Sequence, residues 1–387
     1  MLNSPAMYAA VVERIDHIAA GAWNSLSSGG NPFLRHEFLH GLETTGCAAV
    51  ATGWEPCHLA LYADSAQTRL LAAAPLYCKH HSYGEYVFDW AWADAYRRAG
   101  LSYYPKLVSA VPFTPVTGNR MLLHPQTEAD RLYPALLQLA MDQAANAGAS
   151  SLHWLFTTAD ENRAIQAQGF MTRIGNQFHW HNAGYDSFEH YLSRLTAKRR
   201  KQIRRERRRV SDAGIVMDIV AGTALEPGHW DAMYRFYRST VANHGAIAYL
   251  NREFFDYLAD RFAEHVVLML ARDGGRTVAG SLNFVGGGAM YGRYWGADDY
   301  YDGLHFEACY YRPIEYCIDQ GMAAFEAGAQ GEHKLSRGLL PQATYSQHWL
   351  RDTDFAAAVA DFLQRESSHM DLYARSLAEH SPFRREL

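Results

Sequence analysis

The chain has 387 residues, 48% of them hydrophobic and 20% charged, enough for two or three domains that each bury a core, which excludes a disordered polypeptide. Its formal net charge of −5 conceals residues 198–209, KRRKQIRRERRR, where nine basic side chains stand against Glu206 alone. That window carries +8 and leaves −13 on the rest of the chain, which excludes a generally basic nucleic-acid binder and leaves one cationic helix on an acidic body.

Near the N-terminus, Glu13, Arg14 and Asp16 interrupt the apolar core that a secretory signal requires. The best apolar run, residues 70–78, is nine long and contains Pro75, short of the roughly 20 residues that span a bilayer. The five cysteines are odd in number and form no CxxC pair, so a reduced, cytoplasmic setting without membrane insertion is expected. Nineteen histidines invite a metal, but the tight pairs His80–His81 and His179–His181 lack a carboxylate at ligand spacing, so none is expected.

The sequence predicts an amphipathic helix at residues 33–42 and a related one at 249–258, with four identities in ten positions. A hairpin follows each: 58–63 with 69–77, and 266–271 with 277–284. The second turns on Asp273, Gly274 and Gly275, where glycine accepts the positive φ of a tight turn. The first copy continues through an aromatic stretch, a helix at about 128–147, a strand at 151–156, a short helix ending in Gly169-Phe170 and a closing strand at 177–180. In the second, a strand at 289–295 is followed by an acidic turn, a helix at 304–321, a strand at 323–327 and a loop at 328–334. This alternation predicts an α/β (α+β) chain with related domains at 1–185 and 213–354, a basic connecting helix at 186–212 and a helical tail at 355–387.

This order of elements resembles the GNAT (Gcn5-related N-acetyltransferase) fold, and NRAIQAQGF at 162–170 is similar to the segment where many GNAT proteins end their last helix. Two such units joined by a cationic helix resemble the Fem-type peptidoglycan aminoacyltransferases. Blocks 75–89, 103–106, 111–118, 305–311 and 328–334 resemble the FemAB-like predicted N-acyltransferases of peptidoglycan biosynthesis or recognition. The resemblance implies tandem GNAT-like domains that move an acyl or aminoacyl group onto a small-molecule or peptide amine. It also implies no permanently bound cofactor, and a donor that is aminoacyl-tRNA, another phosphate-bearing species or acyl-CoA. The turn at 297–305, ADDYYDGLH, departs from the Q/R-x-x-G-x-G/A cradle of acyl-CoA enzymes, and its three aspartates repel a diphosphate. This disfavours an acyl-CoA-dependent N-acetyltransferase of a small amine; a non-catalytic muropeptide or RNA recognition protein is the reading from another class.

Acyl transfer to an amine needs a base, donors for the oxyanion and an acid for the leaving group. The resemblance implies oxyanion donors on a splayed strand, making Tyr291, Arg293 and Trp295 candidate substrate contacts. Glu307 shares an apolar helix face with Leu304, Tyr311 and Ile318, as a catalytic carboxylate or a partner of the helix N-terminus. His305 binds substrate or caps that helix. In the loop, Glu332 offers a base, His333 a relay, and Lys334 and Arg337 cationic binding groups; the alternative is a solvated charged turn. Exchanging Glu332 for Gln is therefore expected to abolish turnover and spare the fold. In the first copy, Lys79, His81, Glu85, Asp89 and Lys106 mark either an aromatic-lined substrate concavity or strand packing. Lys198, Arg199, Lys201, Arg204 and Arg205 are phosphate-binding candidates, competing with an anionic membrane contact and a purely structural helix; phosphate contacts make binding salt-sensitive. An open central strand facing Glu307 and Glu332 would favour catalysis, and a plugged one binding alone.

Overall fold

The computed structural model describes residues 7–27, 29–328 and 331–384, in two compact units. One takes the chain up to Gly175 together with Ala343–Asp371; the other takes Asn176–Gln342 and the residues from Leu372 onward.

In the first unit, the strands Tyr8–Val12, His58–Tyr62, Leu70–Ala74 and Leu122–Leu123 form an antiparallel sheet in that order. The helix Ala129–Asn146 turns Leu132, Leu136, Leu137, Ala140 and Ala144 inward, a helical stripe that closes a core with Leu59, Leu61, Ala72 and Ala74. A second group of strands begins with Trp54–Pro56 against Tyr77–Lys79 and Tyr77–Lys79 against Lys106–Ser109, both antiparallel. Lys106–Ser109 then pairs in parallel with Ser151–Thr157. The antiparallel partner of Ser151–Thr157 is the late strand Leu340–Leu350, through Tyr345 to Leu350.

The second unit repeats the scheme. Val216–Ala221, Val266–Asp273, Arg276–Gly286 and Ala289–Ala297 form an antiparallel run, and Ala289–Ala297 pairs in parallel with Ala324–Glu326. Gly274 and Gly275 take φ of 54° and 86° in the hairpin turn, as the sequence predicts. Helices Pro227–Asn243, Arg252–Arg261 and Ala197–Asp212 belong to this unit. The helix His36–Thr44 in the first unit and Arg252–Arg261 in the second both precede their hairpins, so the repeat is real in helix and hairpin alike.

Two expected boundaries need correction. The strand at 177–180, expected to close the first copy, is the end of Met171–His181, and its residues His179 to His181 pair with Ala324–Glu326. Likewise 343–354 belongs to the first unit and the basic helix to the second, so neither 1–185 nor 213–354 is a complete unit. Each half of the sequence gives its closing strand to the unit built mainly from the other half. The tail helix Thr353–Glu379 follows the same division: Val359 and Leu363 pack with Trp92 and Tyr96, while Leu377 packs with Tyr191 and Leu195.

Candidate active site

The parallel pairing in the second unit is short. Ala289, Met290 and Tyr291 face Ala324, Phe325 and Glu326, after which Ala289–Ala297 runs on unpaired to that strand. At the point of divergence its register with Arg276–Gly286 shifts from Leu282↔Tyr294 to Asn283↔Gly292, which makes Arg293 the extra residue of a β-bulge. Helix Pro227–Asn243 lies close behind the strand. Thr240 Oγ1 donates to the Trp295 carbonyl at 2.7 Å, and a Cβ on Gly296 would stand 2.1 Å from the Phe236 carbonyl oxygen, so this approach requires glycine.

The gap is a cleft of about 150 Å³ lined by Asn283, Arg293, Trp295, His305, Cys309 and Tyr310 among others. Its helical wall is irregular: Leu304–Phe306 passes through a π turn at Glu307–Tyr311 into Arg312–Asp319. Pro313 has no N–H to give the Cys309 carbonyl, so an unbroken α ladder cannot form here. Ser281 Oγ instead donates to the Ala308 carbonyl at 2.8 Å. In a π turn residues five apart align, which brings Tyr310 beside His305, ring centroids 5.5 Å apart edge to face. The Tyr310 hydroxyl lies 2.9 Å from His333 Nε2.

Burial, with His333, Arg337 and Lys334 nearby, brings His305 down to about 4, so its imidazole is neutral at physiological pH. His333 is shifted down by burial and the same two cations, and burial drives the Tyr310 phenol up. The cleft therefore holds a neutral imidazole and a protonated phenol, the phenol hydroxyl within hydrogen-bond reach of a second imidazole, His333.

Other predicted residues lie elsewhere. Glu307 points away from the cleft, its oxygens 3.1–3.2 Å from the Arg207 guanidinium and 2.9 Å from Arg312 Nε. Arg207 also binds Glu315, so Glu307 is a counter-ion fixing the basic helix. Glu332 is exposed and accepts a 2.7 Å hydrogen bond from the Tyr373 hydroxyl. Arg337 is buried, bound to both oxygens of Glu206 at 3.0–3.1 Å, and lies 3.5 Å over the Phe306 ring. Lys334 donates to the Gly328 carbonyl at 2.7 Å, and burial lowers it to about 8. Of the loop between them, Ala329 and Gln330 lie outside the described residues. Tyr291 is buried in the sheet, whereas Arg293 and Trp295 do reach the cleft.

The basic helix Ala197–Asp212 buries Ile203, Glu206 and Val210. Arg204 is paired with Glu189, Arg209 with Asp302 at 2.7 Å, and Arg199 is hydrogen-bonded to Gln202 at 3.2 Å. Lys198, Lys201, Arg205 and Arg208 are exposed and make no ion pair among the described residues. Their spacing of three, four and three residues puts them on one stripe opposite the buried edge. Two of the three aspartates of the acidic turn are paired in place, Asp302 with Arg209 and Asp298 with Arg235 at 3.1 Å. Gly303, at φ 84°, packs that turn on the same helix, where a Cβ would stand 3.2 Å from the Glu206 carbonyl oxygen.

The five candidates of the first unit form a closed cluster instead of an open concavity. Lys106 is fully buried, and its ammonium donates to Ser82 Oγ at 2.9 Å, Glu85 at 2.7 Å and Asp89, which uses all three of its protons. Tyr103 donates to Asp89 at 2.6 Å. Lys79 sits 3.6 Å over the Trp54 ring and donates to the Tyr83 carbonyl at 3.1 Å, and burial brings it down to about 7. His81 lies 3.5 Å from Lys79 Nζ and is tied to the Thr52 carbonyl at 2.9 Å.

An antiparallel run of strands and a parallel strand pair recur in the two units, and in the second the strand is bulged and the pair parts over a cleft; together they define a tandem GNAT-like α/β fold. The chain belongs to the FemAB-like family, described by peptidoglycan biosynthesis/recognition, whose model matches residues 14–385. Among solved structures it is similar to FemX, with a TM-score of 0.50 and 11% identity over 81% of this chain and 92% of that one. It is also similar to L-PGS from Bacillus licheniformis, with a TM-score of 0.50 and 10% identity over 84% and 94% of the two chains. At such identities the likeness is one of fold. No curated protein matches the sequence.

Proposed function

We propose that this protein is an N-acyltransferase that moves an acyl or aminoacyl group onto an amine, with the donor carbonyl seated where the two parallel strands part. The carrying observation is that parting, at Tyr291 and beside the Arg293 bulge, with His305 and the Tyr310–His333 pair on the facing helix and loop. The nitrogen attacks the carbonyl carbon, backbone N–H groups at the bulge receive the developing oxyanion, and neutral His305 takes the amine proton. As the carbon–oxygen or carbon–sulfur bond to the donor breaks, Tyr310 protonates the leaving group and is reprotonated through His333. The paired aspartates of the turn at 297–303 offer a diphosphate no cradle, whereas the stripe Lys198, Lys201, Arg205 and Arg208 suits a phosphate-bearing donor such as aminoacyl-tRNA.

Mass spectrometry of the protein incubated with charged tRNAs, acyl-CoAs and amine-bearing cell-wall precursors tests this reading. Consumption of charged tRNA with a mass gain on the amine supports it. Consumption of acyl-CoA alone moves the donor to that class, and binding without consumption of any donor replaces the enzyme by a recognition protein.

A further inference from the structure

The histidine pairs carry no carboxylate close in sequence, but the fold supplies one from the neighbouring strand. Trp54–Pro56 and Tyr77–Lys79 run antiparallel with Glu55 directly opposite Cys78, which puts the two side chains on one face. His80, two residues beyond Cys78, returns to that face. Trp54 and Tyr77 occupy the other face and are buried. The carboxylate, thiol and imidazole donor atoms all lie within 4.8 Å of one another, and His80 Nε2 is 3.7 Å from Glu55 Oε2. No other side-chain hydrogen bond or ion pair engages these three groups among the described residues.

We propose that Glu55, Cys78 and His80 form a binding site for a thiophilic divalent transition metal of the zinc class. One oxygen, one nitrogen and one sulfur ligand match zinc chemistry, and the thiolate discriminates against magnesium and calcium. Ligand bonds of about 2.0–2.3 Å place tetrahedral donors roughly 3.3–3.8 Å apart, so the His80–Glu55 spacing already fits, and the sulfur, within 4.8 Å of both, has at most about 1.5 Å to close. The side chains of Glu55 and His80 are 44% and 53% exposed, which gives an ion an entry path and leaves its fourth position to water. Zinc takes the thiolate form of cysteine, so metal binding displaces a proton from the Cys78 sulfur to solvent. Trp54–Pro56 ends its row of strands, and a metal bridging Glu55 to Cys78 and His80 would fasten that edge.

The test uses untagged full-length protein, stripped with a chelator and titrated with Co²⁺ and then Zn²⁺. The expected result is one ion per chain, a thiolate-to-cobalt charge-transfer band that Zn²⁺ displaces, and a rise in thermal midpoint with Zn²⁺. Cys78→Ser should lose the band. His80→Ala and Glu55→Gln, both at exposed side chains, should weaken binding by at least about 10-fold with an unchanged circular dichroism spectrum. Absence of saturable binding, or a band that survives in Cys78→Ser, would overturn the site.

Discussion

Tyr310 is where the cleft departs most from a reading of spacing. A helix of regular 3.6 period from Leu304 aligns Glu307 with Tyr311, and both do face the basic helix, Tyr311 donating to Glu206 and Glu307 receiving Arg207. The π turn adds a residue at this point and carries Tyr310 round to His305, a widening that no apolar pattern records although Pro313 signals the broken ladder. Tyr310→Phe should lower kcat by about 100-fold or more, as removal of a general acid does, with KM and the unfolding midpoint little changed. Glu307→Gln should act on stability: it leaves Arg207 and Arg312 with Glu315 alone. A loss of about 2 kcal/mol in urea unfolding is expected, below the roughly 3–5 of a fully buried pair because both arginines are partly exposed. Since Glu332 is exposed and bound to Tyr373, away from the cleft lining, Glu332→Gln should keep most of its turnover; loss of turnover with the fold intact would return Glu332 to the catalytic role.

The helices and strands read from the sequence mostly form, but helix Pro227–Asn243 and the strands Tyr8–Val12, Val216–Ala221 and Leu340–Leu350 were not read from it. The predicted helix at 128–147 forms as Ala129–Asn146 and the strand at 151–156 as Ser151–Thr157, because their periodicities are local properties of the chain. Pairing partners were not legible, since alternation in a strand at 177–180 is satisfied by either neighbour. The basic helix shows the same division. Its charge was evident, but the ion pairs that occupy Arg204, Arg207 and Arg209 come from distant residues and leave only one stripe free. Lys201→Ala, Arg205→Ala and Arg208→Ala combined should weaken binding of charged tRNA and flatten its dependence on salt by roughly one unit of log–log slope per lost phosphate contact. Equal binding at low and high salt by the unaltered protein would remove the stripe from the donor site. Gly296→Ala should push the strand off helix Pro227–Asn243 and cost about 1–3 kcal/mol, measured as a lower unfolding midpoint.

At the scale of the whole molecule, buried histidines set the response to acid. His153 and His348 in the first unit share a 2.8 Å Nδ1–Nδ1 hydrogen bond, which requires one ring to accept, and burial holds both below the ordinary value, His153 at about 3. The unfolded chain binds these protons from about pH 6.5 downward and the folded unit does not, so their contribution is complete above ~6.5 and drains as pH falls toward about 3. Glu85, raised to about 7 by burial, works in the opposite sense between its unfolded value of ~4.5 and about 7, so the net slope is that of the histidines less one carboxyl. Urea midpoints should therefore fall from pH ~7 to pH ~5, and His348→Gln should flatten that fall by about one proton. The duplication was readable in the sequence but the crossing of its closing strands was not. A fragment of residues 1–185 lacks the strand that pairs with Ser151–Thr157, and calorimetry of it should show no cooperative transition.

That crossing imposes an order in time. Ser151–Thr157 leaves the ribosome 183 residues before its partner Leu340–Leu350 begins, which at about 5–20 residues per second is on the order of 10–40 s. For that interval the nascent first unit carries an open strand edge, the kind of surface that invites aggregation. The N-terminal half is thus synthesised first but cannot close its sheet until Leu340–Leu350 has emerged, and ribosome-bound chains stalled before that strand should be more aggregation-prone than chains that include it.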